Sequence, residues 1–159
     1  MEPTDAGVSA GLPGMNVSYD RAALAAIEDL LRAGHWESWL HPRLQERGFE
    51  LWCEPRVVLE HAKDFGFFEF ASQRYHYSRS YAGMRNAELG RKRILYGLGS
   101  PLLVPLAYAR IARNVRRRPG YRKAFRRATP LILVYTVIWA FGEAVGYAFG
   151  GGRSILKVR

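Results

Sequence analysis

Apolar residues recur along this chain with two different periods. Between Arg21 and Ala33, Leu24, Ile27 and Leu31 form one helical stripe, with Asp20 as N-cap and Gly34 as stop. Trp36, Leu40 and Leu44 repeat at i, i+4 and i+8, Trp39 thickens the same face, and Gly48 falls where a residue with positive φ ends a helix. The period then shortens. Phe49–Glu54 and Val57–Leu59 are β-prone runs separated by Pro55, which cannot donate to a ladder and marks an edge, a bend or a break. Asp64 caps a further helix running from Phe65 towards Arg85, with Phe67, Phe68, Ala71, Tyr75 and Ser78 on one face and Arg74, Arg79 and Arg85 elsewhere. Its aromatics interleaved with Arg and His suit sugar or phosphate, but periodicity alone favours an ordinary helix packed on a small sheet. Residues 1–14, with three Gly, two Pro and no periodic face, read as a frayed start or partial strand.

From Ile94 the pattern changes again. Ile94–Ala109 is apolar but only sixteen residues long and is interrupted by Gly97, Gly99, Pro101 and Pro105, too short and broken to span a bilayer as a helix. A basic block, Arg110–Arg127, places Arg113 and Arg117 on one face with Arg110. Thr129 and Pro130 then start an apolar helix through Phe149. Its roughly nine strongly apolar residues at about −0.5 kcal/mol each are opposed by Glu143, about +3 kcal/mol when central, and by three glycines. Both apolar segments are therefore expected to lie at or dip into a membrane interface, with arginines on anionic headgroups.

Charge divides the chain in the same place. Residues 110–159 carry twelve Lys or Arg against Glu143 alone, and residues 1–109 carry twelve basic against thirteen acidic, so the net +10 is +11 in the tail and −1 in the body. A near-neutral globular part joined to a cationic, apolar part points to an anionic partner surface for the second part only. The division expected is residues 1–14, a body at 15–93, and a membrane-associated helical region at 94–159. Cys53 is the sole cysteine, which excludes an internal disulfide and a cysteine-cluster zinc site. Met1–Gly7 has neither a basic n-region nor an apolar h-region, so no secretory signal is expected.

Several segments together resemble the C-terminal portion of a bacterial family 2 glycosyltransferase, inverting and nucleotide-sugar-dependent. Gly14-Met15-Asn16-Val17-Ser18-Tyr19-Asp20-Arg21 is similar to a "G-N-x-S-Y-x-R" strand, and Trp36 to Gly48 to "E-D-x-x-L-x-x-R-L-x-x-x-G". Pro55 to His61 resembles "P-x-x-x-V-x-H", Gln73 to Tyr77 sits where processive relatives have "Q-x-x-R-W", and Trp139 to Tyr147 is similar to a "W-x-x-G-E-x-x-G-Y" membrane segment containing Glu143. The motifs run in family order over roughly residues 9–159.

The resemblance implies an α/β fragment that is mostly helical overall, the C-terminal part of a Rossmann-like domain of few strands and several helices, followed by membrane-associated helices. It implies Glu37 as the base that takes the acceptor proton, His61 beside the donor diphosphate or a divalent metal (Mg or Mn), and Gln73, Tyr77 and Trp36 around a lipid-linked or glycan acceptor. Arg113, Arg117, Trp139 and Glu143 fall in the membrane-facing part, at the cytoplasmic face. Ser38 replaces the family's Asp and His76 its Arg, which argues against a processive polymerase. No Asp-x-Asp and no Gly-rich phosphate loop occurs in the sequence. The donor-binding half is thus expected from a truncated part of the reading frame or from a partner chain, and the 159 residues alone are expected not to transfer sugar. Two other classes compete: a non-enzymatic membrane adaptor binding anionic lipid, and a nucleic-acid binder using Arg110–Arg127, disfavoured by its apolar flanks.

Overall fold

The computed structural model describes residues 6–12, 14, 16–59, 62, 64–117 and 119–158. The chain is mostly helical and forms two compact units, Met1–Lys63 and Asp64–Arg159. The division falls at the start of the aromatic helix, well before the change in composition near Ile94, because that helix packs on the C-terminal helix of the chain.

In the first unit, α1 (Arg21–Ala26) and α2 (Glu28–Arg32) replace the single expected helix, with the break at Ile27. Asp20 caps α1 as its position implies, accepting from the Ala22 N–H at 2.7 Å. Ile27 itself is fully buried, so the kink turns it into the core with Ala23, Leu40, Leu44 and Leu51. Helix α3 (Glu37–Glu46) supplies Leu40 and Leu44 one turn apart. Gly34 and Gly48 close α2 and α3 with φ of +74° and +84°, the left-handed backbone that their lack of Cβ makes inexpensive.

The sheet is smaller than the sequence suggests. Strands β1 (Gly7–Val8) and β2 (Trp52–Cys53) pair antiparallel, Gly7 opposite Cys53 and Val8 opposite Trp52, and Ser9 N–H donates to Leu51 O at 2.8 Å. Strand β1 thus falls within the segment read as a frayed start or partial strand. Val57–Leu59 is not one among the described residues, and all three side chains are exposed. The reason is local: Glu54 O accepts from Val57 N–H at 3.1 Å, and the Glu54 carboxylate grips both the backbone and the guanidinium of Arg56, so Glu54–Val57 turns where a strand would continue. No sheet beyond this two-stranded ladder is found among the described residues.

The second unit is helical. Helix α4 (Phe67–Leu89) runs parallel to α7 (Arg122–Phe149): Phe67 meets Tyr135, Tyr75 meets Phe141, and Arg85 meets Tyr147. It packs on a helix rather than a sheet, and its arginines lie along that contact rather than away from it. Phe68, expected on the packing face, is 83 % exposed, whereas Ser78 is fully buried. The contact is close because α7 presents Gly142 and Gly146. A Cβ on Gly146 would lie 2.5 Å from Arg79 O and 2.7 Å from the Ala82 Cβ, and one on Gly142 would lie 2.6 Å from Tyr75 O.

Between them, α5 (Lys92–Gly99), a 3-10 turn (Ser100–Leu102) and α6 (Leu103–Arg116) continue as one helical run antiparallel to α7. The prolines do not break it. Pro101 sits in the first turn of the 3-10 segment and Pro105 in the first turn of α6, at the changeover between the two helical hydrogen-bonding patterns, where Leu103 N–H donates to Ser100 O and Pro101 O. Helix α7 likewise begins at Arg122, earlier than expected, and carries Pro130 inside it while the Thr129 hydroxyl donates to Phe125 O at 2.9 Å. Lys92–Arg116 and Arg122–Phe149 are each long and apolar enough to cross a bilayer. Almost none of the first is covered by protein: Ile94, Leu95, Leu98, Leu102 and Leu106 are exposed.

Candidate functional site

Glu37 opens α3, following Trp36, whose extended backbone starts the helix. At that first-turn position a carboxylate is favoured by the helix dipole. Its side chain folds over Gly14: a Cβ there would overlap the carboxylate carbon and both of its oxygens. Gly14 and Glu37 thus touch although 23 positions separate them, because the loop before Tyr19 crosses the N-terminus of α3.

One turn further along α3, His41 is buried, 3 % exposed, and ties the same loop down. Leu12 N–H donates to His41 Nδ1 at 3.3 Å, and His41 Nε2 lies 2.7 Å from the Tyr19 hydroxyl. Because an amide can only donate, Nδ1 must be the acceptor and the neutral ring carries its proton on Nε2. Burial holds the His41 pKa below its ordinary value, against a smaller opposing pull from the Glu37 charge. Burial, and then the same charge, push the Tyr19 hydroxyl above its ordinary value. Glu37, His41 and Tyr19 are therefore one electrostatically coupled group, half-open to solvent at Glu37 and Tyr19 and closed at His41.

The expected site residues divide between the two units. Glu37 and Trp36 are in the first, both half-buried. His61, expected at the metal or diphosphate, lies outside the described residues. Gln73 and Tyr77 are half-buried on α4. Tyr77 packs 5.3 Å from Trp139, and the Arg74 guanidinium lies over the rings of Phe70, Tyr77 and Trp139 at 4.6, 5.8 and 5.7 Å. Trp139 in turn donates its Nε1–H to Glu143 Oε1 at 2.7 Å, so Glu143 is buried against α4 rather than turned outward. Arg113 and Arg117 are exposed. Among the described residues no group of three His, Cys, Asp or Glu can hold a metal ion, so no chemistry here is routed through one.

Sequence reading alone did not single out His41 as functional, and Tyr19 entered only as part of a motif. The signal was present: Glu37 and His41 stand at i and i+4, on one helical face. No family model, curated protein or solved structure matches the chain.

Proposed function

We propose that this chain is the acceptor-side, membrane-associated part of a glycosyltransferase of the family 2 type. It works at the cytoplasmic face, on a lipid-linked or glycan acceptor. Glu37 takes the proton from an acceptor hydroxyl; the freed oxygen attacks the anomeric carbon of a nucleotide-sugar, the new glycosidic bond forms, and the bond to the diphosphate breaks. The observation that carries the reading is the seating of the Glu37 carboxylate on Gly14. Two motif segments that resemble the family only as strings meet there in space, with a carboxylate in a partly enclosed, solvent-accessible position.

In this reading Met1–Lys63 is the edge of a Rossmann-like domain whose donor-binding strands, with their Asp-x-Asp, metal and nucleotide-sugar, come from polypeptide beyond these residues or from a partner chain. The 159 residues alone do not transfer sugar. The uncovered apolar runs of α5–α6 and α7, with the exposed arginines between them, hold the site at an anionic membrane.

The test uses membranes from producing cells, supplied in turn with radiolabelled nucleotide-sugars and extracted for labelled lipid and glycan. E37Q should lower transfer by about 10²-fold or more while flotation with the membrane is unchanged. Full transfer by E37Q refutes Glu37 as base. Membrane binding without transfer by any form leaves the anionic-lipid adaptor as the better description.

A further inference from the structure

The structure assigns Tyr19 as a second acceptor-binding group beside Glu37: a phenol O–H donating to an acceptor hydroxyl, oriented by the positioning residue His41. This rests on the glycosyltransferase reading and deepens it. The direction of each hydrogen bond follows from one fixed donor. Leu12 N–H occupies Nδ1, so Nε2–H of neutral His41 donates to the Tyr19 oxygen at 2.7 Å. With that lone pair engaged, the Tyr19 proton points away from the ring of His41 and is available to a further acceptor. No protein acceptor for it appears among the hydrogen bonds of the described residues.

The neighbouring ionisable group is Glu37, an acceptor of hydrogen bonds only. Tyr19 is bonded to His41, and Glu37 stands one turn before His41 on α3, so a phenol donor and a carboxylate over a bare glycine border the same end of that helix and match a hydroxyl group or a vicinal pair of them. One hydroxyl gives its proton to Glu37 while it, or its neighbour, accepts from Tyr19. The ligand class is thus a polyol, the sugar end of a glycan or glycolipid, rather than an amine or a carboxylate. An amine has no lone pair for Tyr19 once protonated, and a carboxylate would face Glu37.

His41 does not touch the acceptor. Its part is to choose the direction of the Tyr19 hydroxyl. Gln at this position can keep a donor near the place of Nε2, whereas Phe keeps the volume and loses both bonds.

Two experiments separate this inference from the reading beneath it. In the purified chain labelled with [15N]histidine, long-range proton–nitrogen correlation at pH 7.5 should show His41 as the Nε2–H tautomer, and Y19F should shift its Nε2 resonance. A proton on Nδ1 overturns the assignment whatever the protein's activity. In the membrane transfer assay, Y19F should raise the acceptor KM about tenfold, the effect of one hydrogen bond, with kcat within about threefold of wild type. H41F should follow Y19F, and H41Q should recover at least half the lost affinity. An unchanged KM in Y19F alongside an inactive E37Q overturns this inference alone; a fully active E37Q, or a wild type silent with every donor, overturns the glycosyltransferase reading and this inference with it.

Discussion

Replacing Gly146 by Ala should destabilise the second unit, even though the same exchange in an open helix stabilises. In a helix interior, Gly→Ala gains about 1 kcal/mol from backbone entropy alone. Here the added methyl would sit 2.5 Å from Arg79 O and 2.7 Å from the Ala82 Cβ, where ordinary contact begins at 3.4 Å. Two of these neighbours belong to α4's backbone or first side-chain atom, so no rotamer change relieves them. Helix α4 would have to retreat by about 1 Å, which forfeits up to about half of each dispersion contact along the interface. It would also stretch the Asn86 Nδ2–H bond to Gly146 O, now 3.0 Å, and the Arg85 bond to the Tyr147 hydroxyl, now 2.9 Å. Overpacking of this kind costs about 1–3 kcal/mol, and two weakened hydrogen bonds add about 1 kcal/mol each. After the propensity gain, the net loss is about 2–4 kcal/mol. Gly97 is the internal control: a Cβ there would meet the Tyr147 Cβ at 3.5 Å, an ordinary contact, so Gly97→Ala should be neutral or stabilise by up to about 1 kcal/mol. Unfolding followed by helical circular dichroism in a mild detergent compares the three proteins. Equal or greater stability of Gly146→Ala would refute the close packing of α4 on α7.

Three further outcomes are expected. Gly14→Ala should displace the flexible end of Glu37 at a stability cost under about 1 kcal/mol yet reduce transfer by about 10²-fold, since a carboxylate moved by 1 Å loses its aim; equal transfer would detach Gly14 from the site. Because burial lowers the His41 pKa below 6.5, the unfolded chain binds the proton more readily, so the first unit should hold its full stability above that pH and lose it progressively as pH falls further. Urea midpoints at pH 7.5 and 5.0 measure this, and the acid loss should be smaller in H41Q. Trp139→Phe removes the donor to Glu143 Oε1 and should cost about 1–3 kcal/mol in the same detergent melt used for Gly146; no cost would mean the buried carboxylate finds another partner.

Local signals were the legible ones. Asp20, Gly34 and Gly48 mark helix ends because capping and positive φ depend on a residue and its immediate neighbours. The strand beyond Pro55 was overestimated because β-propensity carries no information about the Glu54–Arg56 pair that closes a turn there. Pro101 and Pro105 read as breakers, yet a proline is harmless in the first turn of a helix, and where that turn lies cannot be told from the proline itself. The glycines of α7 read only as helix-weakening. Their role became visible with the partner: Gly142 and Gly146 are spaces for α4, a helix some sixty positions earlier in the chain. In the candidate site the acid Glu37 was legible from motif order, whereas its coupling to His41 and Tyr19 depends on how the loop through Leu12 and Gly14 crosses α3.

The pairing of α4 with α7 also sets a timetable for synthesis. The first unit is compact within Met1–Lys63, so it can close soon after those residues leave the ribosome. Helix α4 ends at Leu89, but its partner is complete only at Phe149. At ribosomal speeds of about 5–20 residues per second, that interval is roughly 3–12 s. Throughout it Ser78, Ala82 and the α4 arginines have no α7 to rest on, while the bare apolar run of α5–α6 emerges next to them. The growing chain therefore passes through a stage in which its most adhesive surface is made before the element that completes it. Delivery to a membrane during translation, rather than after it, is the route that shortens this exposure.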